Sequence, residues 1–181
     1  MVNGADEEAI FGLIDECGFE CHASCEASLL QVKPEVRDMC AANRCHSYDA
    51  NWCCPPACGT IEHYAEMIAK HARCYLAQTV GQMEDSFDFE TMVETGKLQD
   101  ERCRDLWPKV KERFPEARFL ASGACTVCEK CTYPDAPCAN PGLRMVSMEA
   151  AGLVVNEVCE AAGLPYNHGA NTVAYTACVL L

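Results

Sequence analysis

Residues 122–141 read Ser-Gly-Ala-Cys-Thr-Val-Cys-Glu-Lys-Cys-Thr-Tyr-Pro-Asp-Ala-Pro-Cys-Ala-Asn-Pro, with cysteines at the spacing C-x2-C-x2-C-x6-C. The four are Cys125, Cys128, Cys131 and Cys138, and Pro141 lies three residues past the last of them. Three thiols that are each three residues apart in one loop can converge on a single centre while backbone amides point inward. The spacing therefore predicts a metal-containing site in this loop.

The continuous triple of cysteines indicates which kind of centre to expect. Bacterial ferredoxins hold a cubane iron–sulfur cluster with a similar run, although their fourth cysteine often serves a second cluster. Zinc sites more often use two separated C-x2-C pairs. We therefore expect a [4Fe–4S] cluster on Cys125, Cys128, Cys131 and Cys138, with zinc binding and disulfides or free thiols as the alternatives.

Composition points to the same class of protein. The chain has 181 residues and 16 cysteines, and half of its residues are hydrophobic, so one domain spanning 1–181 with a true core is expected. Residues 1–8 have neither the basic segment nor the apolar core of a signal peptide, and no apolar run approaches the length of a membrane span. Since cytoplasmic proteins rich in cysteine are more often metallated than cross-linked, we expect a cytoplasmic metal protein.

The net charge restricts the partners. At −13, the chain is a poor match for nucleic acid, whose binding depends on clustered lysine and arginine, and for anionic membrane surfaces. A redox partner with a basic docking surface, or a small-molecule substrate, fits this charge better.

A second cysteine-rich region spans residues 34–58. Its asparagines, aspartate and paired prolines predict a loop throughout, and long loops in compact domains need something to order them. We expect a second cluster or metal here, and a redox-active or disulfide-prone loop is the alternative. Cys53 could replace its neighbour as a ligand only by reversing the side-chain direction, so the expected ligands are Cys40, Cys45, Cys54 and, as the fourth, Cys58.

Hydrophobic periodicity predicts an α/β or α+β fold, with a single sheet of about four to five strands flanked by helices. The expected strands are 19–30, 73–82, 117–122 and 172–180. The expected helices are 5–17, 60–71, segments within 89–113, and one that begins at Ser147. Trp107-Pro108 is expected to mark a break or a helix start, and the order through 73–122 predicts some parallel pairing. The loops at 40–58 and 123–141 should lie at one end of the sheet.

The remaining cysteines and histidines are expected to have ordinary structural roles. Cys17, Cys21, Cys25 and Cys178 fit core positions, where cysteine behaves as a small hydrophobe. His63 and His71 fall on the wetter side of their predicted helix.

Several of these segments together resemble a known family. They are Gly123-Ala124-Cys125-x2-Cys128-x2-Cys131, Cys138-x2-Pro141, Ser147-Met148-Glu149-Ala150-x-Gly152 and Cys45-x2-Tyr48-x5-Cys54-Pro55-Pro56. The family is that of small, cysteine-rich predicted metal-binding proteins, domain of unknown function 2284, and the resemblance spans roughly residues 5–181. The chain departs from it at Asp49, where the family has glycine, in the wider Cys40–Cys45 spacing, and in the extra Cys53 and Cys58. The resemblance implies metal or iron–sulfur binding and no particular reaction.

Three functions fit these features. The first is an iron–sulfur redox protein that carries out one-electron transfer with one or two [4Fe–4S] clusters. The second is an enzyme whose first site lacks Cys58 and leaves an open iron, with His46, Tyr48 or Tyr133 as the proton donor. The third is a zinc-stabilised interaction module, against which the triple cysteine run counts.

Overall fold

A single mixed sheet of five strands forms the centre of the molecule. The computed structural model describes residues 4–181, and its strands lie in the order β1-β2-β5-β3-β4. Neighbouring strands are antiparallel except for β3 and β4, which are parallel. The expected single sheet of four to five strands is therefore confirmed. The strands are β1 (Cys21–Glu26), β2 (Arg73–Gln82), β3 (Arg118–Ala121), β4 (Val146–Ser147) and β5 (Thr172–Leu180).

Helices cover both faces of this sheet. Alternate residues of each strand point to opposite faces, and each face contributes to a separate core. On β2, Tyr75 and Ala77 face one core and Cys74 and Leu76 face the other. The first core is covered by α1 and α4, and the second by α3, α5 and segments from both cysteine-rich regions. The helices are α1 (Gly4–Glu16), α2 (Pro34–Ala41), α3 (Ile61–Ala69), α4 (Phe89–Arg113) and α5 (Val155–Ala161), and a 3₁₀ turn spans Ala27–Leu29.

Some expected boundaries are correct. The ends of β2 and β5 fall within about one residue of those expected. Helix α3 begins after Thr60, whose hydroxyl accepts a hydrogen bond from the backbone N–H of His63 at 3.2 Å. Cys25 and Cys178 are buried core residues as expected, whereas Cys17 and Cys21 are only half-buried.

The prediction of a break at Trp107-Pro108 is wrong, because α4 continues through Pro108 to Arg113. A proline inside a helix costs a hydrogen bond and a steric clash. Packing offsets that cost here: Leu106 and Val110 are fully buried, and the Trp107 ring stacks on Phe119 with centroids 5.5 Å apart.

Two further expectations are wrong. A helix does not begin at Ser147, since residues 146–147 form β4, turns follow, and α5 begins only at Val155. Residues 34–58 are not all loop, because α2 occupies their first part with Pro34 at its start, a position that suits proline.

Parallel pairing occurs, but between β3 and β4 instead of within 73–122. The two strands within 73–122, β2 and β3, do not pair with each other, because β5 lies between them and is antiparallel to both. In residues 4–181, no helix is long and apolar enough to cross a membrane.

Candidate metal centre

The two cysteine-rich loops pack against each other. The indole N–H of Trp52 donates to the backbone carbonyl of Ala136 at 3.1 Å, and its ring meets the Tyr133 ring edge-on with centroids 4.9 Å apart. The Tyr133 hydroxyl donates in turn to the Asp49 carboxylate. The loops, distant in sequence, thus form one region of the surface.

The C-terminal loop gathers its four cysteines around one small cavity. Cys125, Cys128, Cys131 and Cys138, which we call the C-terminal thiol site, line a cavity of about 20 Å³. Asn140 also lines it and donates its amide N–H to the Cys128 sulfur at 3.1 Å. All four cysteines expected from the sequence are therefore brought together.

A fifth cysteine, Cys53, reaches this site from the other loop and lines the same cavity. Its thiol donates a hydrogen bond to the Cys125 sulfur, which is the main reason that the pKa of Cys125 is lowered to about 6. Backbone N–H groups of Met145 and Val127 and the charge of Arg144 add to this lowering, while burial opposes it. The same bond and burial raise the pKa of Cys53 far above its ordinary value. The lowered pKa favours the thiolate form of Cys125, which is the form that binds metals.

The N-terminal loop forms a roomier cavity of about 270 Å³. It is lined by Cys40, Cys45 and Cys54, which we call the N-terminal thiol site, together with Tyr48 and other residues. Cys40 comes from the end of α2, and Cys54 is buried, which raises its pKa to about 11.

The fourth cysteine expected here, Cys58, is not among the residues that line this cavity. It is 3% exposed and belongs to the core beneath the site. Its thiol lies close enough to Cys40 and Cys54 for their charges to interact. The structure thus groups three of the four expected cysteines and puts the fourth behind them.

Glu149 also lines the N-terminal cavity and was not identified from the sequence as a site residue. Its Oε2 atom is buried and has no hydrogen-bond partner among residues 4–181. Burial of a carboxylate oxygen without a hydrogen-bond partner costs free energy, and such atoms are common at functional sites.

A tight turn presents Glu149 to the cavity. The Ser147 hydroxyl accepts from the backbone N–H of Ala150 at 3.0 Å, and the Gly152 N–H donates to the Glu149 carbonyl at 2.9 Å. Gly152 has φ +90° and an added Cβ would lie 2.6 Å from the Ile61 side chain, so only glycine fits. The segment Ser147-Met148-Glu149-Ala150-x-Gly152 is the signal that could have identified this residue.

Of the three proton donors considered for an open site, only Tyr48 lines the cavity. His46 is exposed, and the Tyr133 hydroxyl is bound to Asp49. His63 is exposed and His71 half-buried, and neither lines a thiol site.

Within the described part of the chain, no three histidine, cysteine, aspartate or glutamate side chains converge as they would on a single metal ion. Four thiolates around one zinc ion lie about 2.3 Å from it, which requires sulfurs roughly 3.8 Å apart. In a cubane each thiolate binds a different iron, so the thiols need not approach one point. The cysteine donors at these sites suit either a zinc ion or an iron–sulfur cluster.

Comparisons with known proteins give one result. The model of a family described as predicted metal-binding protein, domain of unknown function 2284, matches residues 23–181. The searches of curated proteins and of solved structures found no match.

Proposed function

We propose that this chain, which belongs to the predicted metal-binding protein family, is an iron–sulfur redox protein with two [4Fe–4S] clusters. Cys125, Cys128, Cys131 and Cys138 would hold one cluster. Cys40, Cys45 and Cys54 would hold the other, with the buried Cys58 nearby as its fourth ligand. The clusters would supply one-electron transfer. The observation that carries the proposal is that a continuous C-x2-C-x2-C triple and its fourth cysteine line one cavity.

The chain's own residues support this use of the C-terminal thiol site. The lowered pKa of Cys125 favours its thiolate form, which is the form that binds iron. The Asn140 amide donates to the Cys128 sulfur, and hydrogen bonds to ligand sulfurs are one of the means by which proteins adjust cluster potentials. Trp52, from the other loop, lines the cavity and contacts the Tyr133 ring.

The contact between the two loops supports electron exchange between the sites. Trp52 and Cys53 line the C-terminal cavity, and the next residue, Cys54, lines the N-terminal cavity. The net charge of −13 supports a redox partner with a basic docking surface.

The test is the metal content of the protein purified without oxygen. We expect roughly eight irons and a matching amount of acid-labile sulfide per chain. About four irons would restrict the proposal to one cluster, and zinc without iron would refute it in favour of a zinc-stabilised module.

A second function, an enzyme with an open iron at the N-terminal thiol site, is favoured by one observation. Three thiols line a cavity of about 270 Å³ that is also lined by Tyr48 and by Glu149, whose Oε2 atom has no hydrogen-bond partner among residues 4–181, while Cys58 does not line it. In this arrangement Tyr48 and Glu149 would bind and orient a small substrate and hold its protons.

Two variants test the open site. If the site is open, Cys58→Ala should retain its iron, and Cys54→Ala should lose about four irons per chain. Because Cys58 is buried, its variant is first compared with the wild type in thermal unfolding. Loss of about four irons from a folded Cys58→Ala would show that Cys58 is a ligand and favour a fully ligated electron carrier.

A further inference from the structure

A groove next to the C-terminal thiol site has a charge opposite to that of the molecule. It has a volume of about 520 Å³ and runs between α3, the end of α4 and strands β3 and β4. Lys70, Lys111, Arg118 and Arg144 line it, against the single carboxylate of Glu66. Four of the chain's 14 lysines and arginines thus meet here, although the chain carries 27 acidic residues.

The cations of this groove are not neutralised by the protein. Elsewhere, Lys33, Arg73, Arg102 and Lys109 form ion pairs with carboxylates, but no groove cation does so among residues 4–181. Two of the groove cations donate only to backbone carbonyls. Lys111 donates to Gly142, and Arg118 donates to Glu116 and Ala117. Both side chains are therefore oriented by neutral acceptors and keep their charge available.

A buried donor provides a second, independent observation. Trp107 lines the groove and is 6% exposed, and its indole N–H has no hydrogen-bond partner in the part of the chain that the structure describes. An unsatisfied buried N–H is rare because it costs the full desolvation penalty of the group. A ligand whose acceptor oxygen reached the indole N–H from the groove would satisfy it.

We propose that this groove binds a small organic anion that carries phosphate or carboxylate groups. Its volume lies in the range of small-molecule sites, and Met67, Pro115, Pro141 and the Trp107 ring supply apolar contact for the body of the ligand. Lysine and arginine are the usual partners of phosphate and carboxylate oxygens.

The position of the groove relates it to the metal centre. Arg144 lines both the groove and the cavity of the C-terminal thiol site. A bound anion would therefore lie beside that site. Binding in the groove does not depend on which metal the thiols hold, so its test is separate from that of the clusters.

The experiment is calorimetric titration of the full chain, purified without oxygen, with pyrophosphate and separately with citrate at low ionic strength. We expect at least one of them to bind with a dissociation constant below about 1 mM. Pyrophosphate binding alone would indicate a phosphate ligand, and citrate binding alone a carboxylate ligand. Absence of binding by both at about 10 mM would overturn the proposal.

Three variants place the binding in the groove. Lys70→Glu and Arg118→Glu should each weaken binding about tenfold, because each removes a charge-assisted contact. Trp107→Phe keeps an aromatic ring and removes the N–H, and should weaken binding by roughly threefold to tenfold. All variants should keep the iron content of the wild type.

Lys97→Glu is the matched control, since Lys97 is an exposed lysine of α4 outside the groove. It makes the same change in net charge and should leave the affinity unchanged. If it weakens binding as much as Lys70→Glu does, the effect is one of overall charge and the groove is not the site. Unchanged affinity in Lys70→Glu and Arg118→Glu would contradict the proposal equally.

Discussion

The two thiol sites lie side by side in the same pair of loops, yet their surroundings differ. The C-terminal thiol site takes its cysteines from 14 consecutive residues and encloses about 20 Å³. The N-terminal thiol site takes its cysteines from 15 consecutive residues that begin at the end of α2, includes Glu149 from a turn distant in sequence, and encloses about 270 Å³. The first has four expected cysteines at one cavity, whereas the second has three and a carboxylate.

This difference suggests that the two sites have different functions. A tight site of thiols, with Asn140 and backbone N–H groups as donors, suits a group that only gains and loses electrons. A roomy site with Tyr48 and an unpartnered Glu149 oxygen suits a group that meets a small molecule. The shared segment Trp52-Cys53-Cys54 would connect them.

The largest effect is expected from Cys131→Ala. Removal of one of the four thiols at the tight site should cost the chain about four irons and leave the other cluster in place. Iron and sulfide analysis measures this, with Cys21→Ala as the control because Cys21 lines neither thiol site. Unchanged iron in Cys131→Ala would contradict the assignment of that site, and loss of all the iron would contradict the independence of the two.

A smaller effect is expected from Trp52→Ala, which removes the main contact between the loops. The lost ring contact and hydrogen bond should lower the free energy of unfolding by about 2 kcal/mol. Iron should also be released faster to a chelator. Trp52→Phe keeps a ring and loses the hydrogen bond, so its rate of iron release should lie between those of Trp52→Ala and the wild type. Equal rates of iron release in all three proteins would show that other contacts hold the loops together.

The smallest effect on either site is expected from Glu20→Gln, a change in the scaffold. Burial raises the pKa of Glu20, but hydrogen bonds from Arg102 and from the Val80 N–H outweigh it, so the pKa lies below its ordinary value. Arg102 binds both carboxylate oxygens, at 2.6 and 2.8 Å. Since Glu20 is partly exposed, the variant should lose only about 1 kcal/mol of unfolding free energy at pH 7.

The pH dependence of that loss has a definite sign. A lowered pKa stabilises the folded state above the ordinary glutamate pKa, and the stabilisation disappears as the pH falls through the lowered value. The difference between Glu20→Gln and wild type in chemical unfolding should therefore be present at pH 7 and absent in strong acid. Iron content should not change, and a loss of iron would show that the scaffold and the sites are coupled.

The regular elements could be predicted from the sequence because their signals are local. The composition of residues 73–82 predicts a buried strand with the ends that β2 has, and Thr60 marks the start of α3. The two-residue β4 has no periodicity to detect. Pro108 gives a break signal that the packing of Leu106 and Val110 overrides.

Less of the candidate site could be predicted. The triple from Cys125 to Cys131 is visible in sequence because its members are close together, and the structure brings them to one cavity. Cys53 and Cys54 line different cavities. This depends on how the two loops pack together, which cannot be predicted from cysteine spacing alone. The capping pattern around Ser147 predicts a helix at Glu149, whereas Gly152 with φ +90° closes a turn there.

The most direct test of the central claim, two clusters in unlike surroundings, is the EPR spectrum of the dithionite-reduced protein with and without cyanide, a small ligand for open iron. We expect signals from two interacting reduced clusters, of which only the one lost in Cys54→Ala changes when cyanide is added. A spectrum of a single isolated cluster, or the same response to cyanide from both, would contradict it.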